Sequence, residues 1–367
     1  MELEQTCREN TLRLSPHIER IAAGEMSDTL EPFAKAYLGL YYQLDNTIPP
    51  RQRVASLASA ELATAIMQGM QSLLLWGQPA TALHIGQAHA DGEGLGSGYV
   101  LLAAVEEYCE GDATRVLALA DENLAALLCY QLLHGSYQPL PWHEVILQQG
   151  PALAIEALQE FWSPLLHRTK ERLPGLQTLI RGQGYPQLAM PLSLHLLEHW
   201  PQADAYTLRR LMQWALSSDE TERLLAIAAG QLTTLPRAEI RRKVYWLVTA
   251  FLCAPQAYAD ALSGYIGRSK EKVLPLLDYV QALLQDPAIE QQLTAMDLAR
   301  LLRIIAPIFV RNEGRGGLLD DNSSKVLWLF AQLQDYPASE RMEAVRWLQG
   351  VRVMRCYGDI LQQMSGE

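Results

Sequence analysis

The sequence predicts an all-α protein, an α-solenoid or HEAT-like array of antiparallel helix pairs. Apolar residues recur at the three- and four-residue spacing of amphipathic helices along most of the chain. Proline and glycine interrupt these stretches at intervals that suit helices of about 10–18 residues joined by short turns. No stretch shows the period-two alternation of a half-buried strand. Because one amphipathic helix cannot cover its own apolar stripe, each helix must pack on its neighbours.

The N-terminal part of the chain predicts three helical stretches. The first covers residues 3–23 with a break at Pro16, and the second covers residues 28–44. The third is long and alanine-rich and covers residues 51–76. The glycine run over residues 92–98 predicts a connection between helices, because no strand precedes it and no Lys-Ser or Lys-Thr pair follows it as in a phosphate-binding loop.

The clearest helical pattern lies over residues 236–286 and predicts three consecutive helices. The apolar stripes of these three helices are Ile240, Val244, Leu247, Val248 and Phe251; Tyr258, Ala261, Leu262, Tyr265 and Ile266; and Val273, Leu276, Leu277, Val280, Leu283 and Leu284. Thr249 is predicted to point away from the first stripe. Ser269 is the predicted N-cap of the third helix, and Pro275 is predicted to kink that helix or to delay its start.

A chain of 367 residues is long enough for one repeat array or for several ordinary domains. We predict one elongated array over residues 1–367, with about 16–20 helices. Its subdivision is expected to be N-terminal helices over residues 1–92, a repeat core over residues 93–310, and a loop with C-terminal helices over residues 311–367.

Composition argues against membrane and disulfide-stabilised classes. The chain is 49% hydrophobic with a mean hydropathy of -0.03, and its longest apolar run, near residues 244–254, is too short for a membrane span. The N-terminus lacks the basic and apolar regions of a secretion signal, so a cytoplasmic location is expected. The five cysteines are scattered and odd in number, which indicates reduced core thiols rather than disulfides or a zinc site.

The net charge of -11 is confined to the N-terminal part of the chain. Residues 1–150 contain 7 basic and 18 acidic residues, whereas residues 151–367 contain 23 of each. The window 205–275 is locally basic, with 10 basic and 6 acidic residues. It is either a solvated helical face or an electrostatic footprint for nucleic acid, an alternative that the acidity of the whole chain disfavours. The residues of that footprint are Arg209, Arg210, Arg241, Arg242, Lys243, Arg268, Lys270 and Lys272.

The most specific chemical motif is formed by His195, Glu198 and His199, which match the H-x-x-E-H pattern of zinc peptidases. A zinc hydrolase is therefore a remote alternative. Trp200 and Pro201 end the helix directly afterwards and leave no local third ligand. In the competing interpretation, the two histidines flank a stripe that faces the core. We expect no enzymatic activity, no bound metal and no cofactor.

Residues 311–324 form a polar, glycine-rich segment that is longer than a turn requires, and a helix is predicted to resume over residues 325–334. Such a segment is either a surface linker or a binding loop. The candidate interaction residues combine this loop with the basic window: Arg209, Arg210, Arg241, Arg242, Lys243, Arg311 and Arg315.

Several packing motifs occur in order along the chain, at residues 36–41, 50–53, 173–176, 192–197, 242–247, 254–258 and 301–309. Together they resemble the C-terminal HEAT-like helical-repeat region of bacterial NACHT or STAND-type NTPases. The resemblance implies a non-catalytic sensor region in defence or signalling. Its partner would be a protein, phage-derived for example, or an NTPase module in the same or a companion chain.

The chain departs from the family plan in one respect. It has no G-x-x-x-x-G-K-[ST] motif, so the resemblance does not extend to ATP hydrolysis. It leaves open whether the chain is a fragment of a larger protein or a free-standing relative. The leading prediction is a helical recognition scaffold that binds a protein partner and no membrane.

Overall fold

The computed structural model describes residues 2–134, 140–166, 173–176, 179, 185–236, 238–285, 289, 293–309, 321–349 and 357–365. Within these ranges the regular elements are twenty α-helices and four short 3₁₀ helices, which confirms the predicted all-α class. No helix in the described part is long and apolar enough to cross a membrane. The four cysteines in the same part, Cys7, Cys109, Cys129 and Cys253, are free thiols.

The chain forms two compact units, Met1–Leu192 and Ser193–Glu367. The predicted single array and its subdivision stay predictions. The helices of the first unit are α1 (Glu2–Leu14), α2 (Ile18–Ala22), α3 (Ser27–Tyr37), α4 (Pro50–Ala55), α5 (Ala60–Trp76), α6 (Ala82–Asp91), α7 (Ser97–Tyr108), α8 (Asp121–His134), α9 (Pro141–Gln149) and α10 (Pro151–Leu166). Two 3₁₀ helices, Ser15–His17 and Ala113–Ala118, accompany them.

Helix α11 (Pro186–His199) contains the point of division. The helices of the second unit are α12 (Ala205–Leu216), α13 (Thr221–Thr234), α14 (Ile240–Cys253), α15 (Pro255–Ile266), α16 (Lys270–Leu283), α17 (Ala295–Ile305), α18 (Asp321–Gln332), α19 (Ala338–Gln349) and α20 (Gly358–Ser365). Two further 3₁₀ helices, Ala306–Ile308 and Leu333–Asp335, lie in this unit.

In the first unit, α3 packs on α5 and α7, α7 packs on α8, and α10 packs on both α6 and α8. Two helix pairs approach so closely that a glycine is required at the contact. A Cβ atom at Gly86 of α6 would lie 2.0 Å from the carbonyl oxygen of Phe161 in α10. A Cβ atom at Gly69 of α5 would lie equally close to the carbonyl oxygen of Ile21 in α2. These contacts set the separation of the helices, because backbone cannot yield as a flexible side chain can.

In the second unit, α14 is the central helix and packs on α12, α13, α15 and α16. Every residue from 244 to 251 is buried, as expected for a helix surrounded by neighbours. The prediction that Thr249 points away from the core is therefore wrong. Its hydroxyl oxygen lies 3.1 Å from the hydroxyl oxygen of Tyr279 in α16, and this hydrogen bond makes its burial tolerable. The predicted stripe of α16 is buried throughout, whereas Ala261 in the stripe of α15 is exposed.

Two helix boundaries in the first unit differ from the prediction. Helix α3 ends at Tyr37 rather than near residue 44, because Gly39 adopts a left-handed conformation with φ of 76°. The next amide, that of Leu40, donates a 2.8 Å hydrogen bond to the carbonyl of Lys35, which is the pattern of a Schellman C-cap. The helix predicted over residues 51–76 is two helices, α4 and α5. The side chain of Ser59 caps α5 by accepting from the amide of Leu62.

In the second unit, α16 begins directly after Ser269 as predicted, whereas α18 begins earlier than predicted. Ser269 occupies the N-cap position of α16, but its side chain makes no capping hydrogen bond. Pro275 lies inside that helix and does not delay its start. Residues 321–324, predicted as the end of a loop, form the first turn of α18. The rest of that predicted loop, residues 311–320, lies outside the described residues.

Candidate recognition pocket

The first unit contains an open pocket of about 630 Å³. It lies between the C-terminal end of α5, the turn to α6, the beginning of α8 and one residue of α10. A pocket of this size falls within the range that accommodates small ligands or single side chains of a partner. Its lining residues are Leu75, Trp76, Gly77, Gln78, Pro79, Ala80, Thr81, Ala82, Ala120, Glu122, Asn123, Ala125 and Glu160.

The turn between α5 and α6 is defined by a cap at each end. Gly77 ends α5, and its amide donates a 3.0 Å hydrogen bond to the carbonyl of Leu73. Thr81 begins α6 as its N-cap, and its side chain accepts a 3.2 Å hydrogen bond from the amide of His84. The last residue of α5, Trp76, is left 84% exposed at the pocket rim. An indole this exposed is unusual, since large aromatic side chains are mostly buried on average.

Asn123 fixes one wall of the pocket. This residue is only 6% exposed, and its side-chain nitrogen donates a 3.0 Å hydrogen bond to the carbonyl oxygen of Leu74. That carbonyl is among the last four of α5, which have no amide partner within the helix. The side-chain oxygen of Asn123 is buried and has no hydrogen-bond partner among the described residues. Asn123 therefore joins the start of α8 to the end of α5, next to Trp76.

Two carboxylates lie in the pocket lining, Glu122 in the first turn of α8 and Glu160 on α10. Both are exposed, and neither forms a hydrogen bond or ion pair with any residue that the structure describes. Basic residues are scarce throughout this region: residues 54–167 contain 12 acidic residues and one basic residue, Arg115. The guanidinium of Arg115 lies over the ring of Tyr108, 4.3 Å from its centroid. The pocket is thus acidic, and no residue in the described part of the chain acts as a counter-ion to its two carboxylates.

The described lining provides apolar, amide and carboxylate groups and contains no histidine, cysteine, lysine or arginine. Such a set can bind a group by apolar contact, hydrogen bonding and charge attraction. Its one side-chain hydroxyl is that of Thr81, which accepts the capping hydrogen bond from the amide of His84.

Most of the basic candidate residues contact their own chain. The guanidinium of Arg242 donates a 2.8 Å hydrogen bond to the carbonyl of Ala203 and another to that of Gln202, and it lies 3.7 Å from the carboxylate of Glu239. This arginine therefore ties α14 to the turn before α12. Arg241, its neighbour in sequence, is exposed.

The remaining candidates in the basic window show the same tendency. The ammonium groups of Lys272 and Lys243 lie 4.1 Å and 5.3 Å from the ring centroid of Tyr265, and Lys272 also donates a 2.8 Å hydrogen bond to the Tyr265 carbonyl. Arg209 lies over the ring of Tyr206 at 5.6 Å from its centroid, and Arg210 donates to the side chain of Gln213. Arg311 and Arg315 lie outside the described residues. Arg268 and Lys270, the other two residues of the predicted footprint, are exposed like Arg241. The basic window as an interaction surface stays a prediction.

The histidine motif is placed at the end of α11. The rings of His195 and His199 stack with centroids 4.4 Å apart, and His199 Nδ1 lies 2.9 Å from the carbonyl oxygen of His195. Glu198 forms a 3.0 Å ion pair with Arg223. Burial, and secondarily the charge of His199, lowers the pKa of His195. Nowhere in the described part do three or more His, Cys, Asp or Glu side chains come together as metal ligands.

The sequence prediction missed the pocket entirely. Trp76 and Glu122 are 46 positions apart in the sequence, and Glu160 lies 38 positions further on. One feature of the sequence could have indicated an acidic site: basic residues are nearly absent over residues 54–167. No protein-family model, curated protein or solved structure matches this chain significantly.

Proposed function

We propose that this chain is a non-catalytic recognition scaffold that binds a protein partner through the pocket beside Trp76. The observation that supports this most is the 84% exposed indole at the rim of an open pocket. Tryptophan is enriched at protein interfaces and among the residues that dominate binding energy. Leu75, 39% exposed, extends the apolar rim.

The proposed architecture is an α-solenoid of HEAT-like antiparallel helix pairs. Such arrays bury a continuous core between neighbouring helices and leave their outer faces free for partners. The close contact of α6 with α10 at Gly86 supports a rigid base for the pocket, because the helix separation there is set by backbone. A rigid site binds at a lower entropic cost than a mobile one.

The physiological setting that we propose follows from the resemblance to the helical-repeat region of NACHT or STAND-type NTPases. In that setting the chain is a cytoplasmic sensor region. Its partner is a phage-derived protein or an NTPase module in the same or a companion chain. The non-enzymatic role that we propose is supported by a described pocket lining without histidine, cysteine or lysine.

The test replaces Gln78, an exposed residue of the pocket lining, by a photo-crosslinking amino acid, so that Trp76 is kept, and exposes the protein to lysates of infected and uninfected cells. A specific crosslinked protein is expected at position 78. The matched control is the same amino acid at Tyr42, which is 90% exposed and lies outside the pocket.

Binding of the captured protein to unmodified chain is then measured for Trp76→Ala and Tyr42→Ala. We expect only Trp76→Ala to abolish binding. A partner that binds both variants equally would place the contact elsewhere, and the absence of any position-specific partner would refute the scaffold proposal.

A further inference from the structure

We propose that the pocket beside Trp76 binds a cationic side chain, a lysine or arginine from a basic segment of the partner protein. This inference rests on the proposed function and specifies the chemistry of its partner. The charges, the aromatic ring and the helix ends at the pocket all favour such a side chain.

Negative charge in the pocket is not compensated by the described residues. Glu122 and Glu160 both line the pocket and have no ion-pair partner among the described residues. The only basic residue between positions 54 and 167, Arg115, lies against Tyr108. An incoming cation therefore meets two carboxylates without displacing an existing salt bridge.

The indole of Trp76 offers an aromatic face at the pocket rim. Tryptophan attracts a cation over its face more strongly than tyrosine or phenylalanine does, and the attraction adds to that of nearby carboxylates. The aliphatic stem of a lysine or arginine also gains from apolar contact with Leu75 and the turn alanines, while its charged end remains near the rim. The mixture of aromatic, apolar and acidic groups suits such an amphipathic side chain.

Two helix ends lie at the pocket. The C-terminal end of α5 carries a partial negative charge, which favours a cation beside Trp76. The N-terminal end of α8 has the opposite sign, but Asp121 in its first turn offsets it. The same acidic surroundings repel phosphate, so a nucleic acid is the less suitable occupant.

The experiment measures binding of three fluorescent alanine-based peptides to the full chain by anisotropy. The peptides are identical except that they contain lysine, its uncharged analogue norleucine, or glutamate at the same positions. Only the lysine peptide is expected to bind, and its affinity should fall as salt concentration rises, because exposed charge pairs are screened.

Three variants locate the site. Trp76→Ala and the double variant Glu122→Gln/Glu160→Gln are each expected to weaken binding of the lysine peptide by about tenfold or more. Glu156→Gln is the matched control, because Glu156 is an exposed carboxylate on α10 that is not in the pocket lining. It should leave the affinity unchanged. Circular dichroism confirms that each variant is folded, and Glu160→Gln alone tests the site without altering the first turn of α8.

The inference is overturned if norleucine and lysine peptides bind equally, if no peptide binds, or if Glu156→Gln weakens binding as much as the pocket variants. These outcomes are separable from failure of the scaffold proposal. If the crosslinked partner binds the Glu122→Gln/Glu160→Gln variant as tightly as the parent chain, the scaffold proposal stands. Only the proposal that the pocket binds a cationic side chain is then contradicted.

Discussion

The side-chain nitrogen of Asn123, in the first turn of α8, donates a 3.0 Å hydrogen bond to the carbonyl oxygen of Leu74, in the last turn of α5. One helix thereby caps the C-terminal end of another across 49 positions of sequence. Because Trp76 follows Leu74 by two residues, this bond also fixes where the exposed indole lies relative to Glu122.

Replacement of Asn123 by alanine should therefore destabilise the first unit. The loss leaves a helix-end carbonyl without its partner, which costs about 1–3 kcal/mol. Urea denaturation followed by circular dichroism measures the change. Glu156→Ala, at an exposed position of α10, is the control and should stay within about 0.5 kcal/mol of the parent protein. Equal stability of the two variants would show that the bond to Leu74 contributes nothing.

A Cβ atom at Gly86 should be poorly tolerated. It would meet the carbonyl oxygen of Phe161 at 2.0 Å, so Gly86→Ala must separate α6 from α10. We expect a loss of about 1–3 kcal/mol, the usual cost of overpacking. The part of the pocket wall that lies on α10 should move as well. The measurement that detects this movement is the affinity for the partner, which should decrease.

Gly230 provides the matched control for that substitution. It lies in α13, is exposed, and a Cβ atom there would have no heavy atom within 4 Å. Gly230→Ala should stabilise the protein by up to about 1 kcal/mol, because alanine has the higher helix propensity. Thermal denaturation of both variants should give shifts of opposite sign, and shifts of the same sign would contradict the close approach at Gly86.

The buried pair of Thr249 and Tyr279 should show energetic coupling. Thr249→Val leaves the Tyr279 hydroxyl buried without a partner, at a cost of about 1–3 kcal/mol. Tyr279→Phe should cost less, because the threonine hydroxyl can turn to a carbonyl of its own helix. The double variant should cost less than the sum of the two single variants in a double-mutant cycle. Strict additivity would show that the two hydroxyls do not interact.

His143 should make the stability of the first unit depend on pH. Burial lowers its pKa from 6.5 to about 4, and neither ring nitrogen has a hydrogen-bond partner in the part of the chain that the structure describes. Between these two pH values the unfolded chain binds a proton that the folded chain does not bind. Stability should therefore decrease as pH falls from about 6.5 toward 4, by up to about 3 kcal/mol, with no further loss from this group below that range.

His143→Leu isolates the contribution of this residue from that of other titrating groups. The difference in the free energy of unfolding between parent and variant should change across that pH interval and be constant above neutral pH. The measurement is a series of urea titrations at several pH values. A difference that is independent of pH would mean that His143 can ionise in the folded state without cost.

The local spacing of apolar residues was sufficient to predict the buried positions of helices whose neighbours lie close in sequence. In α16 the spacing of Val273, Leu276, Leu277 and Val280 predicted buried positions, because an apolar stripe on a helix packs against neighbouring helices. The same rule failed for Thr249, because α14 has neighbours on several sides and a polar group can be buried once Tyr279 pairs with it. Helix ends at Gly39 and Ser59 were misjudged because their caps depend on backbone conformation and on single hydrogen bonds.

The sequence by itself determined the all-helical class and the acidity of the N-terminal part, since periodicity and charge are properties of composition and order. Only the tertiary structure placed Trp76, Glu122, Asn123 and Glu160 around one pocket, because the packing of α8 on α10 and the Asn123–Leu74 bond join segments far apart in the chain. Contacts between such distant segments follow from the packing of whole helices. The spacing of residues within one helix does not say which other helix will lie against it.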